Sequence, residues 1–115
     1  MHYVHNDIKL ENILVEVTEN GQPLLKLSDF GFATPVEFNH GTIGYCVGTP
    51  EYMAPEVFSK RKKVSEKADI WSATVLACLI LTKRHPFKQG DVVNKHAIMT
   101  GDPDLTGLEQ FSSGV

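Results

Sequence analysis

The chain has 115 residues, 42% of them hydrophobic, which allows one small domain, or a piece of a larger one, with a packed core. The formal charge of −3 and pI near 5.9 argue against nucleic-acid binding, which needs a basic surface to meet phosphates. Cys46 and Cys78 are too few and too far apart for a disulfide scaffold or a zinc site, and the five histidines lack metal-ligand spacing. The N-terminal residues carry no signal-peptide pattern, and the longest apolar stretch, Ile70 to Leu81, is too short to cross a bilayer. A reducing, cytoplasmic or otherwise intracellular setting is therefore expected.

The first predicted feature is a polar loop, His5 to Asn12, between apolar Tyr3-Val4 and Ile13-Leu14-Val15. Ile13 to Val17 and Leu24 to Leu27 read as strands, and Asn20-Gly21 between them is a hairpin turn signal. The hairpin begins beside Asp7 and Asn12 and ends at a second polar knot, Ser28-Asp29-Phe30-Gly31-Phe32-Ala33, so it brings the two loops side by side. From Thr34 to Thr49 the chain is rich in Gly, Thr, Asn and Pro and reads as a long surface segment. Pro55 can open a short helix through Phe58, and Ser65 is placed to cap a longer one, roughly Glu66 to Thr82. That longer helix is apolar nearly all round, which predicts a buried central helix with Cys78 in the core and Asp69 in need of partners. The run Lys60-Arg61-Lys62-Lys63 reads as a solvated loop, with a docking patch or localisation signal as the alternative. After Pro86-Phe87 a helix is predicted from about Val92 to Met99, then a turn at Gly101-Asp102-Pro103.

The polar residues make a chemical set. Two carboxylates, Asp7 and Asp29, and the Asn12 amide offer oxygens of the kind Mg²⁺ prefers, and Mg²⁺ takes only one or two ligands from a protein when phosphate and water supply the rest. Lys9 is a point charge for a phosphate, and an Asp left off the metal can orient a hydroxyl and accept its proton. Those are the parts of a phosphoryl-transfer site. Each also has a plainer reading: Asp29 as a turn residue, Asp69 as an acid favoured by a helix N-terminus, Thr49 as a loop residue, Lys9 as a solvated charge.

The motifs "HNDIKLEN", "SDFG", "GTPEYMAPE", "DIWS" and "HPF", in that order, resemble the eukaryotic protein kinases, Ser/Thr type. The resemblance implies an α+β fold: the large C-terminal lobe of a kinase domain, mainly helical, with a small β-hairpin beside the catalytic loop and the small N-terminal lobe absent. It implies a catalytic loop at 5–12, a metal-binding element at 29–31, an activation segment at 29–56 and a central helix at about 66–82. By position, Asp7 resembles the catalytic base, Lys9 the contact to the γ-phosphate, and Thr49 the brace for both. Asn12 and Asp29 resemble the residues that hold Mg²⁺ and with it the nucleotide, and Leu14 the residue packed under the adenine of ATP. His5, Phe30 and Asp69 resemble an internal stack and its anchor, with Asp69 accepting from catalytic-loop amides, and Glu56 the partner of a distant Arg. The implied function is transfer of the γ-phosphoryl of Mg-ATP to Ser/Thr hydroxyls of a protein substrate, with a regulatory protein as a further partner and neither nucleic acid nor a membrane span. The truncated chain itself is expected to be inactive, and the rival reading is a non-catalytic pseudokinase or interaction fragment.

Several positions depart from the family pattern. Leu10 stands where Pro is usual, and Thr74 and Lys83 where Gly is common. Asn6 replaces an Arg that in the family receives an activating phosphate, and a neutral amide cannot replace a guanidinium fork. The position of that phosphate corresponds to Tyr45, with Thr42 upstream as the alternative.

Overall fold

A computed structural model describes residues 2–38, 47–59 and 64–111. Thr42, Tyr45, Cys46 and the Lys60 to Lys63 run lie outside the described residues.

Strand β1 (Tyr3–Val4) leads into the polar loop, and a 3-10 turn at Leu10–Asn12 delivers the chain to the hairpin of β2 (Ile13–Val17) and β3 (Pro23–Leu27). The hairpin is antiparallel, with Ile13 opposite Leu27 and Val17 opposite Pro23. Its turn closes through the Thr18 amide on the Gln22 carbonyl at 2.9 Å and the Gly21 amide on the Thr18 carbonyl at 2.8 Å. Gly21 adopts φ +74°, a region that glycine enters without steric penalty. β3 starts one residue earlier than predicted, because the first residue of a strand tolerates the missing amide of Pro23. The hairpin is exposed on both faces, and Lys26 pairs with Glu16 across it.

The segment from Thr34, read as a long surface stretch, opens with regular structure. Strand β4 (Thr34–Pro35) pairs antiparallel with β1, and Val36–Phe38 forms a 3-10 turn. Further 3-10 turns follow at Pro50–Tyr52 and Pro55–Phe58, each with proline at its start, where the missing amide is harmless.

Helix α1 (Lys67–Thr82) starts one residue later than predicted. Ser65 serves its N-terminus: the Lys67 amide donates to the Ser65 hydroxyl at 3.3 Å and the Ala68 amide to the Ser65 carbonyl at 3.0 Å. The expectation of a helix buried all round is corrected. Only the stripe Ala68, Ser72, Val75 and Leu76 is buried, while Ile70 is 67% and Leu81 48% exposed. The reason is what packs on the helix. One core cluster gathers Tyr52, Val75, Leu76, Phe87, Ala97 and Ile98, and a smaller one gathers Ala54, Val64 and Ala68. Beside the first cluster, Ile70, Trp71 and Cys78 of α1 line an open apolar groove of about 600 Å³ with Phe87, Pro103 and Leu105, so Cys78 is half-buried there rather than in the core.

The helix predicted over Val92–Met99 is also corrected. Val92–Val93 is strand β6, paired with β5 (Lys88–Gln89) around Gly90, and helix α2 spans only Lys95–Thr100. Asn94 sets that boundary, since its side-chain oxygen accepts the Ala97 amide at 3.0 Å. Gly101, at φ +67°, ends α2 at the predicted turn. No helix among the described residues is long and apolar enough to cross a membrane.

Candidate active site

Asp7 is the buried centre of the polar loop, 6% exposed. One of its carboxylate oxygens, Oδ1, accepts from the Thr49 hydroxyl at 2.9 Å. The other, Oδ2, faces the Lys9 ammonium at 3.4 Å and accepts from Asn12 Nδ2 at 3.2 Å. Lys9 also donates to the Thr49 hydroxyl at 2.9 Å. Asn12 Nδ2 donates again, to the Asp7 carbonyl at 2.8 Å. Residues 42 positions apart are thus closed into a triangle of Asp7, Lys9 and Thr49, and the carboxylate is held from both sides.

The loop is fixed from below by Asp69 in the first turn of α1. Asp69 Oδ2 accepts the His5 amide at 2.7 Å and Oδ1 the Asn6 amide at 3.0 Å, charge-assisted bonds that set the backbone immediately before Asp7. The buried His5 ring continues the framework. Its Nδ1 accepts the Asp7 amide at 3.2 Å, so the ring proton sits on Nε2, which donates to the Ser28 carbonyl at 3.0 Å. Phe30 packs edge-on against the same ring, centroids 5.0 Å apart.

Asp29 lies at the hairpin's far end. The Ser28 amide and hydroxyl both donate to the Asn12 carbonyl, at 2.8 and 3.0 Å, so the residue before Asp29 is bonded directly to Asn12. Asp29 is exposed, takes a left-handed φ of +58°, and accepts the Gly31 amide on Oδ1 at 3.2 Å. Among the described residues no three His, Cys, Asp or Glu side chains cluster as a metal site. The oxygens on offer are the Asn12 amide oxygen, whose nitrogen is committed to Asp7, and the Asp29 carboxylate. That sparse, hard donor set suits Mg²⁺ completed by phosphate and water.

Two sequence-predicted residues stand apart from this network. Leu14, on β2 opposite Lys26, is 54% exposed. Glu56 is half-buried in the Pro55–Phe58 turn and forms no ion pair among the described residues.

Several structural contributors escaped the sequence reading. Ser28 ties the two loops together, as above. Ser72 on α1 donates to the Tyr52 carbonyl at 2.6 Å and so docks the Pro50–Tyr52 turn, next to Thr49, on the helix. Gly48 adopts φ +106°, and a Cβ built there would lie 2.3 Å from the Asn6 carbonyl oxygen. The Thr49 segment can reach Asp7 only because position 48 has no side chain. Its signal was visible as the glycine before Thr-Pro, but the need for close approach was not.

Further out, Glu51 pairs with Lys88 at 3.6 Å, and the Tyr52 ring meets His85 edge-on at 5.4 Å. Burial lowers the affinity of the His85 imidazole for a proton; Glu51 opposes this and Lys88 adds to it. Its Nδ1 accepts the Phe87 amide at 3.1 Å, and its buried Nε2 has no hydrogen-bond partner.

The protein kinase domain family matches residues 1–111. The chain is 40% identical over 102 residues to serine/threonine-protein kinase zyg-8 of Caenorhabditis elegans, an overlap covering 86% of this chain and 13% of the relative. It is 41% identical over 106 residues to calcium-dependent protein kinase 6 of Plasmodium berghei, covering 91% of this chain and 7% of the relative. Serine/threonine-protein kinase SAPK4 of Oryza sativa subsp. japonica is 38% identical over 91 residues, covering 79% of this chain and 24% of the relative. The chain therefore spans less than a quarter of the length of these relatives.

Proposed function

The chain belongs to the protein kinase family, and from that premise we propose that it supplies the large-lobe part of a serine/threonine kinase domain. In this reading residues 5–12 are the catalytic loop and 29–56 the activation segment. The substrate is a protein hydroxyl, and the donor is the γ-phosphoryl of ATP. The observation that carries the reading is the triangle on Asp7, in which Thr49 and Lys9 come from both sides onto one buried carboxylate.

Asp7 orients the acceptor hydroxyl and takes its proton. Asn12 and Thr49 fix the carboxylate, so its position is set before substrate arrives, and positioning is most of what phosphoryl transfer asks of a protein. The Lys9 ammonium, already beside Asp7, supplies positive charge toward the transferred phosphate. Asn12 and Asp29 would hold Mg²⁺; when bound, the ion neutralises phosphate charge. The exposed side chain of Leu14 offers an apolar contact for the adenine.

The test grafts residues 3–115 into a complete kinase frame and measures phosphate transfer to a protein substrate. Asp7→Asn is expected to lower turnover by about 10² or more, the lower range for a positioned base. Asp29→Ala is expected to raise the Mg²⁺ concentration needed. A rate unchanged by Asp7→Asn removes the assignment, and a folded graft that transfers nothing favours a non-catalytic module.

A further inference from the structure

The ladder between β1 and β4 pairs Tyr3 with Pro35 and Val4 with Thr34, and the Val36 amide donates to the His2 carbonyl at 2.9 Å. Continuing that register by two residues places Asn6 opposite Phe32. No backbone rung can form there, because Asn6 has turned out of the strand at φ +68° and its amide is given to Asp69. The side chain supplies the rung instead: Asn6 Nδ2 donates to the Phe32 carbonyl at 3.0 Å. Asn6 directly precedes Asp7, and Phe32 follows Asp29-Phe30-Gly31. The Asn6 carbonyl in turn lies against Gly48.

We infer that Asn6 is a positioning residue whose side-chain amide extends the β1–β4 ladder by one rung and thereby fixes the chain leaving Asp29 against the loop that carries Asp7. Its catalytic meaning rests on the phosphoryl-transfer reading above. Asparagine fits the position twice: it tolerates a left-handed φ, and it presents a neutral donor at short reach. The bond joins two uncharged groups, so it forms without any charge being added to the segment and is indifferent to ionic strength.

The experiment is hydrogen exchange read by mass spectrometry on the full chain at low concentration, comparing wild type with Asn6→Asp and Asn6→Gly. Both variants accept the left-handed backbone, yet neither can donate. Exchange over residues 32–36 is expected to rise about five- to tenfold, the size of one lost hydrogen bond, at low and high salt alike, with α1 unchanged. The second readout is protection of residues 27–31 by MgCl₂ alone, which is expected to require several-fold more Mg²⁺ in both variants. Unchanged exchange over 32–36 overturns the inference. Faster exchange with an unchanged MgCl₂ midpoint also overturns it, since the bond would then hold structure without setting the position of Asp29. If wild type itself ignores MgCl₂, Asn12 and Asp29 do not hold the metal without phosphate, and the exchange over 32–36 decides alone whether Asn6 fixes the segment, while the Asp7→Asn graft decides the phosphoryl-transfer reading.

Discussion

Asp69 sits in the first turn of α1, yet both its oxygens serve amides more than sixty positions earlier in the chain. Asp69→Ala leaves the His5 and Asn6 amides without acceptors, and a loss of about 2–4 kcal/mol in urea unfolding is expected, with Asp69→Asn losing less because one acceptor remains. His85 gives a second residue-scale expectation. Its folded-state pKa lies below the ordinary 6.5, so as pH falls the unfolded chain takes up the proton first. Stability should therefore be flat above about pH 6.5 and decline as pH falls below it, and His85→Gln should remove that part of the decline in unfolding curves taken across the window. At this scale the candidate site was legible where one polar side chain meets another, as with Asp7, Lys9, Asn12 and Thr49. It was not legible where a residue acts through main-chain groups. Ser28 and Ser72 grip carbonyls, and Gly48 acts by lacking a Cβ. No spacing rule encodes such contacts, because the partners are brought near only by the finished fold.

Helix α1 ends at Lys83, which takes φ +60° and returns its amide to the Leu79 carbonyl at 2.9 Å. The left-handed conformation is costly for a residue with a Cβ, so Lys83→Gly is expected to raise the free energy of unfolding by about 0.5–1 kcal/mol, measured by denaturant titration. The sequence marked this position as one where glycine is common, and the strain gives the physical reason. Other elements were legible to different degrees. The β2–β3 hairpin was readable because Asn20-Gly21 lies in its loop, where Gly21 supplies the left-handed φ and returns its amide to Thr18. The β5–β6 pair was not, because Val93 with Ala97 and Val92 with Met99 fall at helical spacings of four and seven, and two-residue strands leave no alternation to detect. The extent of burial along α1 was misread for a different reason. An apolar composition states what a helix can bury, while its neighbours decide what it does bury.

Across the whole molecule, apolar surface remains on the side of α1 that lines the groove, where Ile70 and Leu105 are 67% and 46% exposed and Trp71 and Phe87 stack with centroids 5.4 Å apart. Contiguous apolar patches drive association. The chain is therefore expected to self-associate as its concentration rises in sedimentation velocity, and Ile70→Lys with Leu105→Lys should shift it toward monomer. A single monomeric boundary at every concentration would contradict this. The contact between Gly48 and the Asn6 carbonyl carries a consequence of another kind, for heredity. A one-carbon change, Gly48→Ala, would wedge the Thr49 segment off the polar loop while leaving every reactive group in the gene product unaltered. Such an allele would look harmless to anyone scanning only for lost aspartates and lysines, yet would part the two segments that those residues need to meet.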